Sequence, residues 1–277
     1  MPRKTIFVLL LLFLIVFPLP AYAGSAVALD GKVLDPYGGL VIEGKSMVPV
    51  RPIFMELGYQ LSTDMGQGIV LANKGQEQIA IHLWQPQVVQ NGKELSEIVI
   101  PQLVEGRTML WAEDLSRLLG LTLLQESNMV SFFTSPKMTQ EGVIRRLFTA
   151  DRMYLRAEYY NNQEFLSLEQ IAPSPKLTTK SDLEQLMGNY WGSTHINNLW
   201  QAGSENGTYV GFFTEGSIPL SYNKEVMVKE LTPTRATIEV TMPDWGEGGL
   251  SHFLKLLYTL TLEKDGKLVV TDVQGIE

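Results

Sequence analysis

The chain of 277 residues carries 22 Lys and Arg against 30 Asp and Glu, a formal net charge of −8, and contains no Cys. An acidic balance of this size argues against nucleic acid or anionic lipid headgroups as partners. Without Cys there is no disulfide framework, no thiol nucleophile and no acceptor for a lipoprotein anchor, while the length suffices for two domains of ordinary size.

The first 23 residues have the make-up of a secretory leader. Arg3 and Lys4 form a short positive region, residues 6–17 are an apolar run too short to cross a bilayer comfortably, and Ala21-Tyr22-Ala23 is a small-x-small cleavage signature. Cleavage after Ala23 is expected, with retention as an N-terminal anchor as the alternative; losing Arg3 and Lys4 takes the charge to −10. Export without disulfides suits a bacterial envelope, so the expected location is secreted or extracellular, associated with the cell envelope. Beyond the leader no second membrane-crossing segment stands out.

Residues 24–134 contain a duplication. Residues 41–61 read VIEGKSMVPVRPIFMELGYQL and residues 103–123 read LVEGRTMLWAEDLSRLLGLTL, with Gly44 and Gly106, Met47 and Met109, and Gly58 and Gly120 each 62 apart. Asp30-Gly31 and Asn91-Gly92 have hairpin-turn chemistry, because Asp or Asn followed by Gly tolerates the positive φ of tight turns. Glu43-Gly44 and Glu105-Gly106 turn the chain into the short strands that begin at Met47 and Met109. Apolar residues at helical spacing follow, Ile53, Phe54 and Leu57 in one copy and Leu115, Leu118 and Leu119 in the other. Each helix stops at a Gly with the placement of a C′ residue. Strands are expected after them at 69–71, 79–81 and 129–133.

The run Met47-Val48-Pro49-Val50-Arg51 with Leu57-Gly58-Tyr59 resembles the paired-repeat copper amine oxidase N-terminal, or stalk, domain of exported bacterial proteins. In the second copy Trp111 and Glu113 stand where Pro and Arg are expected. The resemblance implies a scaffold rather than a catalyst. A topaquinone site needs Tyr within Asn-Tyr-Asp/Glu and three His ligands, whereas Asn189-Tyr190 is followed by Trp191 and the three His are His82, His195 and His252.

Ser135-Pro136 marks a change of rhythm and the expected start of a second domain, 135–277. Thr139 has the chemistry of an N-cap for a helix striped by Val143, Ile144, Leu147, Ala150, Tyr154 and Ala157. Thr179 or Ser181 is expected to cap a helix bearing Leu183, Leu186 and Met187, and Ser193 one bearing Ile196, Leu199 and Trp200. From Gly207 the period becomes two: strands are expected at 208–214, 217–220, 225–231, 235–242, 253–263 and 267–273, with Asp265-Gly266 as a hairpin turn. Helices followed by a meander define an α+β domain with helices covering one face of an antiparallel sheet, a cystatin-like or NTF2-like plan.

The segments LTTKSDLEQLMGNYWGSTHINNLW, ENGTYVGFFTEGSIPLSYNKE and IEVTMPDWGEGG, in that order, resemble the bacterial DL-endopeptidase inhibitor family of IseA type. That resemblance implies a non-catalytic envelope protein whose partner is a cell-wall endopeptidase of the NlpC/P60 class. Its partner-binding residues are expected in the acidic, Gly-rich loop bearing Asp244, Trp245 and Glu247, with Glu215 on the same edge. Glycines let such a loop approach a cleft, Trp is a favoured interface anchor, and the carboxylates suit basic or His groups. The loop also reads as a plain connection between strands. No nucleophile elbow, P-loop, dinucleotide fingerprint or HExxH motif is present, and no two His lie at chelating spacing; neither cofactor nor metal is expected. The alternative function is a small-ligand-binding module with an NTF2-like pocket between helix and sheet.

Overall fold

The computed structural model describes residues 24–85, 87–95, 101–126, 128–211, 219–243 and 253–276. The fold is α+β, as expected, and its chain divides into two compact units. One comprises residues 24–27, 35–115 and 125–130, the other residues 28–34, 116–124 and 131–276. Among the described residues no helix is long and apolar enough to cross a membrane.

The duplication is visible as a repeated strand–helix–strand. β3 (Lys45–Pro49), α1 (Val50–Glu56) and β4 (Gln60–Asp64) correspond, 62 residues on, to β10 (Arg107–Trp111), α2 (Ala112–Leu119) and β11 (Thr122–Glu126). β3 and β10 pair with each other, antiparallel, with Val48 opposite Leu110 and Met47 opposite Trp111. The strand entering each copy is made by a tight turn in which both central residues have positive φ: Glu43 (50°) with Gly44 (79°), and Glu105 (51°) with Gly106 (74°). This is the type I′ hairpin geometry, whose twist matches that of the strands. Asp30-Gly31 and Asn91-Gly92 form the same turn.

Both helices end as the Gly positions require. Gly58 has φ 85° and Gly120 φ 62°, and in each copy the C′ and C″ amides turn back onto the last helical carbonyls. Gly58 N–H donates to Met55 O and Tyr59 N–H to Phe54 O; Gly120 N–H donates to Arg117 O and Leu121 N–H to Ser116 O. That is the Schellman arrangement. α1 buries Val50, Ile53 and Phe54.

β1 (Gly24–Leu29), β2 (Lys32–Ile42), β9 (Gln102–Val104) and β12 (Met129–Phe133) join these strands in a seven-stranded sheet of order β11-β12-β1-β2-β3-β10-β9. β4 instead opens a five-stranded antiparallel sheet with β5 (Ile69–Lys74), β6 (Glu77–His82), β7 (Gln87–Gln90) and β8 (Lys93–Glu94). The alternation in β6, where Ile79 and Ile81 are buried, shows one face turned to the core.

In the second unit α3 (Gln140–Glu158) starts at Thr139, whose hydroxyl accepts from Gly142 N–H at 3.1 Å. A short helix that the sequence did not announce, α4 (Gln163–Leu168), is capped by Asn162. α5 (Lys180–Met187) begins with a capping box between Thr179 and Asp182, which selects Thr179 over Ser181. Ser193 is not a cap: it is the first residue of α6 (Ser193–Gly203), and Gly192 precedes it without a side-chain cap bond. The expected strand 208–214 is, where described, only the two-residue β14 (Thr208–Tyr209), paired with β13 (Ser204–Glu205). Leu220 lies in a 3-10 turn, Leu220–Tyr222, rather than a strand, because Pro219 directly precedes it and removes a ladder donor.

β15 (Glu225–Leu231), β16 (Arg235–Pro243), β17 (Phe253–Leu262) and β18 (Leu268–Ile276) form the expected antiparallel meander. Val143, Leu147 and Ala150 of α3, Leu183 and Met187 of α5, and Ile238, Val240, Leu260 and Val270 of the sheet belong to one buried cluster. Helices on one face of this sheet is the layering the sequence implied.

Candidate functional site

The long hairpin of β16 and β17 is in continuous register from Arg235 opposite Thr261 to Pro243 opposite Phe253. The segment 244–252 therefore connects two paired residues at the end of the sheet. Asp244, Trp245 and Glu247 of that segment, and Glu215, lie outside the described residues, as does His252. The described margin next to the segment carries Phe253, 44% exposed, with Lys224 Nζ 4.1 Å from its ring centre. This places a cation over an exposed aromatic face at the margin.

A second arrangement, which sequence patterning gave no sign of, lies on the inward side of α3. Asp151 and Glu158 are seven residues apart, two helical turns, so they share a face with Tyr154 between them. Asp151 Oδ2 accepts from Leu220 N–H at 3.0 Å, tying the 3-10 turn to the helix. Burial, aided by the Glu158 charge, pushes the Asp151 carboxyl up to about 7 against the opposing effects of that hydrogen bond and of Arg152. Burial likewise pushes the Tyr154 phenol up to about 12 and raises those of Tyr209 and Tyr258, with nearby carboxylates adding to each. Tyr209 donates its hydroxyl to Ala157 O at 3.0 Å, and Trp200 stacks on the Tyr209 ring with centres 6.0 Å apart. Chemically the group offers the protonated phenols of Tyr154 and Tyr258, the Tyr209 proton being spent on Ala157 O, and one carboxyl that burial brings near neutrality.

Two buried cations tie α3 to other segments of the second unit. Arg146 donates through Nε to Leu268 O at 2.7 Å, through a terminal nitrogen to Asn189 O, and stacks over the Tyr190 ring at 4.2 Å. Desolvation lowers its guanidinium pKa. Arg156 donates to Pro173 O from two nitrogens, at 3.1 and 2.6 Å. Trp191, buried in the core, donates its indole N–H to Ala150 O at 2.7 Å. His195 packs edge-on against Trp191, with ring centres 5.2 Å apart, and His82 pairs in register with Ile69 and Gln87. Among the described residues no three His, Asp or Glu side chains form a group suited to a metal ion.

Residues 28–132 match the copper amine oxidase N-terminal domain family. The match ends just before Phe133, the last residue of β12, and takes in both copies of the repeat. Among curated proteins nothing matches the chain.

Proposed function

We propose that the chain is an exported, non-catalytic envelope protein that restrains peptidoglycan DL-endopeptidases of the NlpC/P60 class, carried on a stalk-like repeat module. The observation that carries the reading is the register of β16 and β17, which closes at Pro243 and Phe253 and makes the acidic segment between them a nine-residue connection leaving the end of a rigid hairpin. A binding loop mounted on a packed scaffold is the usual way a protein presents an inhibitory surface. The match of residues 28–132 to a non-catalytic domain is consistent with a carrier role for that part. The decisive experiment is cell-wall hydrolysis by a purified NlpC/P60-type endopeptidase with increasing amounts of the full chain lacking residues 1–23. Inhibition that saturates at a defined stoichiometry supports the reading, and undiminished hydrolysis across several such enzymes removes it.

The acid–tyrosine group of Asp151, Tyr154, Tyr209 and Tyr258 favours a second reading, a small-ligand-binding module. The protonated phenols of Tyr154 and Tyr258 with a carboxyl near neutrality are suited to orient a small polar ligand. Ligand-induced thermal stabilisation that disappears in Tyr258→Phe would favour this reading over inhibition.

A further inference from the structure

The first unit contains a groove of about 380 Å³ that none of the foregoing uses. Its floor is apolar: Val50, buried at the start of α1, with Leu61 of β4 and Val70 of β5, the latter adjacent to Thr63 in the β4–β5 register. Leu103 of β9 and Thr108 of β10, which pair with each other, also line it. Leu103 is 45% exposed and Met65, on the rim, 55% exposed, so the apolar surface continues to the solvent. The volume is in the range of specific ligand sites.

The charge in the groove runs against that of the chain. Arg51 and Arg107 line it with a single carboxylate, Asp35, while the chain as a whole is at −8. Asp35 accepts from Arg107 through one nitrogen at 2.8 Å and so fixes that guanidinium while leaving over half of the side chain exposed. Arg51 is exposed and has no acidic partner among the described residues. A guanidinium held on one side by a carboxylate presents its remaining N–H groups in a fixed fork suited to another carboxylate. The surplus cation beside exposed apolar residues therefore calls for a ligand that is both anionic and apolar.

The strands flanking the groove select the shape of that ligand. β4 is the last strand of the five-stranded sheet and β9 the last of the seven-stranded sheet. Both present outer edges without a neighbouring strand among the described residues, and outer strand edges are templates for an added extended segment. We propose that this groove binds an extended acidic peptide segment, with its carboxylates on Arg51 and Arg107 and its apolar side chains on Val50, Leu61 and Val70.

Fluorescence anisotropy with a labelled Glu-Val-Glu-Val-Glu peptide and the full chain tests this. Binding in the micromolar range that weakens as salt is raised is expected, with the corresponding Lys-Val-Lys-Val-Lys peptide not binding. Arg51→Gln should weaken binding at least tenfold, and Thr63→Glu, which places a carboxylate in the groove, should abolish it. Both positions are exposed, and thermal unfolding at the wild-type temperature confirms that the variants fold. Equal binding of the basic peptide, no binding of the acidic one at millimolar concentration, or affinity unchanged in both variants overturns the proposal. Competition by free glutamate as effective as by the peptide also overturns it, because the site would then take isolated carboxylates rather than a strand.

Discussion

Val48 sits directly opposite Leu110, its own counterpart 62 residues along the chain. Two copies of a unit that pair antiparallel through equivalent strands are related by a local two-fold axis, and this pair is the position the axis passes through. Both side chains are fully buried. The duplication thus supplies more than two similar pieces: each copy provides the neighbouring strand and the apolar face that the other needs. A single copy would leave β3 or β10 with an unpaired edge.

Truncation at this axis should be costly. Leu110→Ala is expected to destabilise the chain by about 2–4 kcal/mol, and Val48→Ala by somewhat less because fewer methyl groups are removed. Since the two side chains share one space, the double variant should depart from the sum of the singles by more than about 0.5 kcal/mol. Urea midpoints measured by tryptophan fluorescence decide it; strict additivity would mean that the residues do not pack on one another.

The helix stops make a separable prediction. At Gly120 a Cβ would meet nothing within 4 Å, and at Gly58 only the Lys74 side chain at 3.8 Å, so a substitution there is opposed by φ and not by space. Gly120→Val should therefore cost about 1 kcal/mol or more, whereas Gly120→Asn, a residue that tolerates the left-handed region, should cost clearly less. Equal losses for Asn and Val would show that something other than φ fixes the position.

Which parts were legible in the sequence follows from how local their causes are. The I′ turns, the Gly stops, the Thr139 cap and the four meander strands each depend on neighbours within a few residues and stand where the sequence placed them, and Thr179 is one of the two caps the sequence offered for its helix. Leu220 misled because its apolar neighbours have strand composition, while the preceding Pro219 decided the conformation. Ser193 has capping chemistry, but the chain enters α6 one residue earlier. The acid–tyrosine group was not legible at all: Asp151 and Glu158 look like solvent-facing charges of a long helix until the second layer covers them. The groove depended on which sheet β4 joined, and nothing in residues 60–64 distinguishes that from the path of its counterpart β11.

Asp30 shows the same limit. Its turn was expected, but its carboxylate is buried and accepts from Thr134 N–H at 2.8 Å, from the Thr134 hydroxyl, and from Arg145 at 3.4 Å. Arg152 donates to its carbonyl at 3.1 Å. Asp30→Ala removes the carboxylate that accepts from Thr134 and Arg145, leaves the carbonyl for Arg152, and places Ala at φ 52°, so a loss of about 2–4 kcal/mol is expected. Asp30→Asn keeps a residue suited to that φ and should lose less. Residues 135–277 expressed alone lack both Asp30 and Thr134 and should unfold at a lower temperature than the same residues in the full chain; an unchanged transition would make these bonds dispensable.

Asp151 gives the chain a pH dependence of defined sign. Its folded-state pKa of about 7 lies above the ordinary 3.8, so between pH 4 and 7 the native state binds the extra proton. Stability from this group is complete below about pH 4, falls as pH rises through 7, and is level above. Asp151→Asn retains an acceptor for Leu220 N–H and has no charge to bury. It should abolish that fall and exceed wild-type stability at pH 8 by about 1–3 kcal/mol. Melting temperatures of the two proteins between pH 4 and 8 test this, and parallel curves would place the ionisation elsewhere.

The functional proposal makes the sharpest claim about the connection between Pro243 and Phe253. Its two flanking residues, Pro243 and Phe253, are paired in the β16–β17 register, and a central Trp is a favoured interface anchor. Trp245→Ala should then weaken inhibition of the endopeptidase by about 2 kcal/mol or more, roughly thirtyfold in dissociation constant. Asp244→Asn with Glu247→Gln should weaken it less but remove most of its dependence on ionic strength, since rim charges act mainly on the rate of association. Glu215→Gln tests whether that carboxylate takes part, and a salt dependence that persists in the double variant but is lost in this one would assign the steering to Glu215. Inhibition that survives all of these substitutions unchanged would move the contact surface away from this end of the sheet.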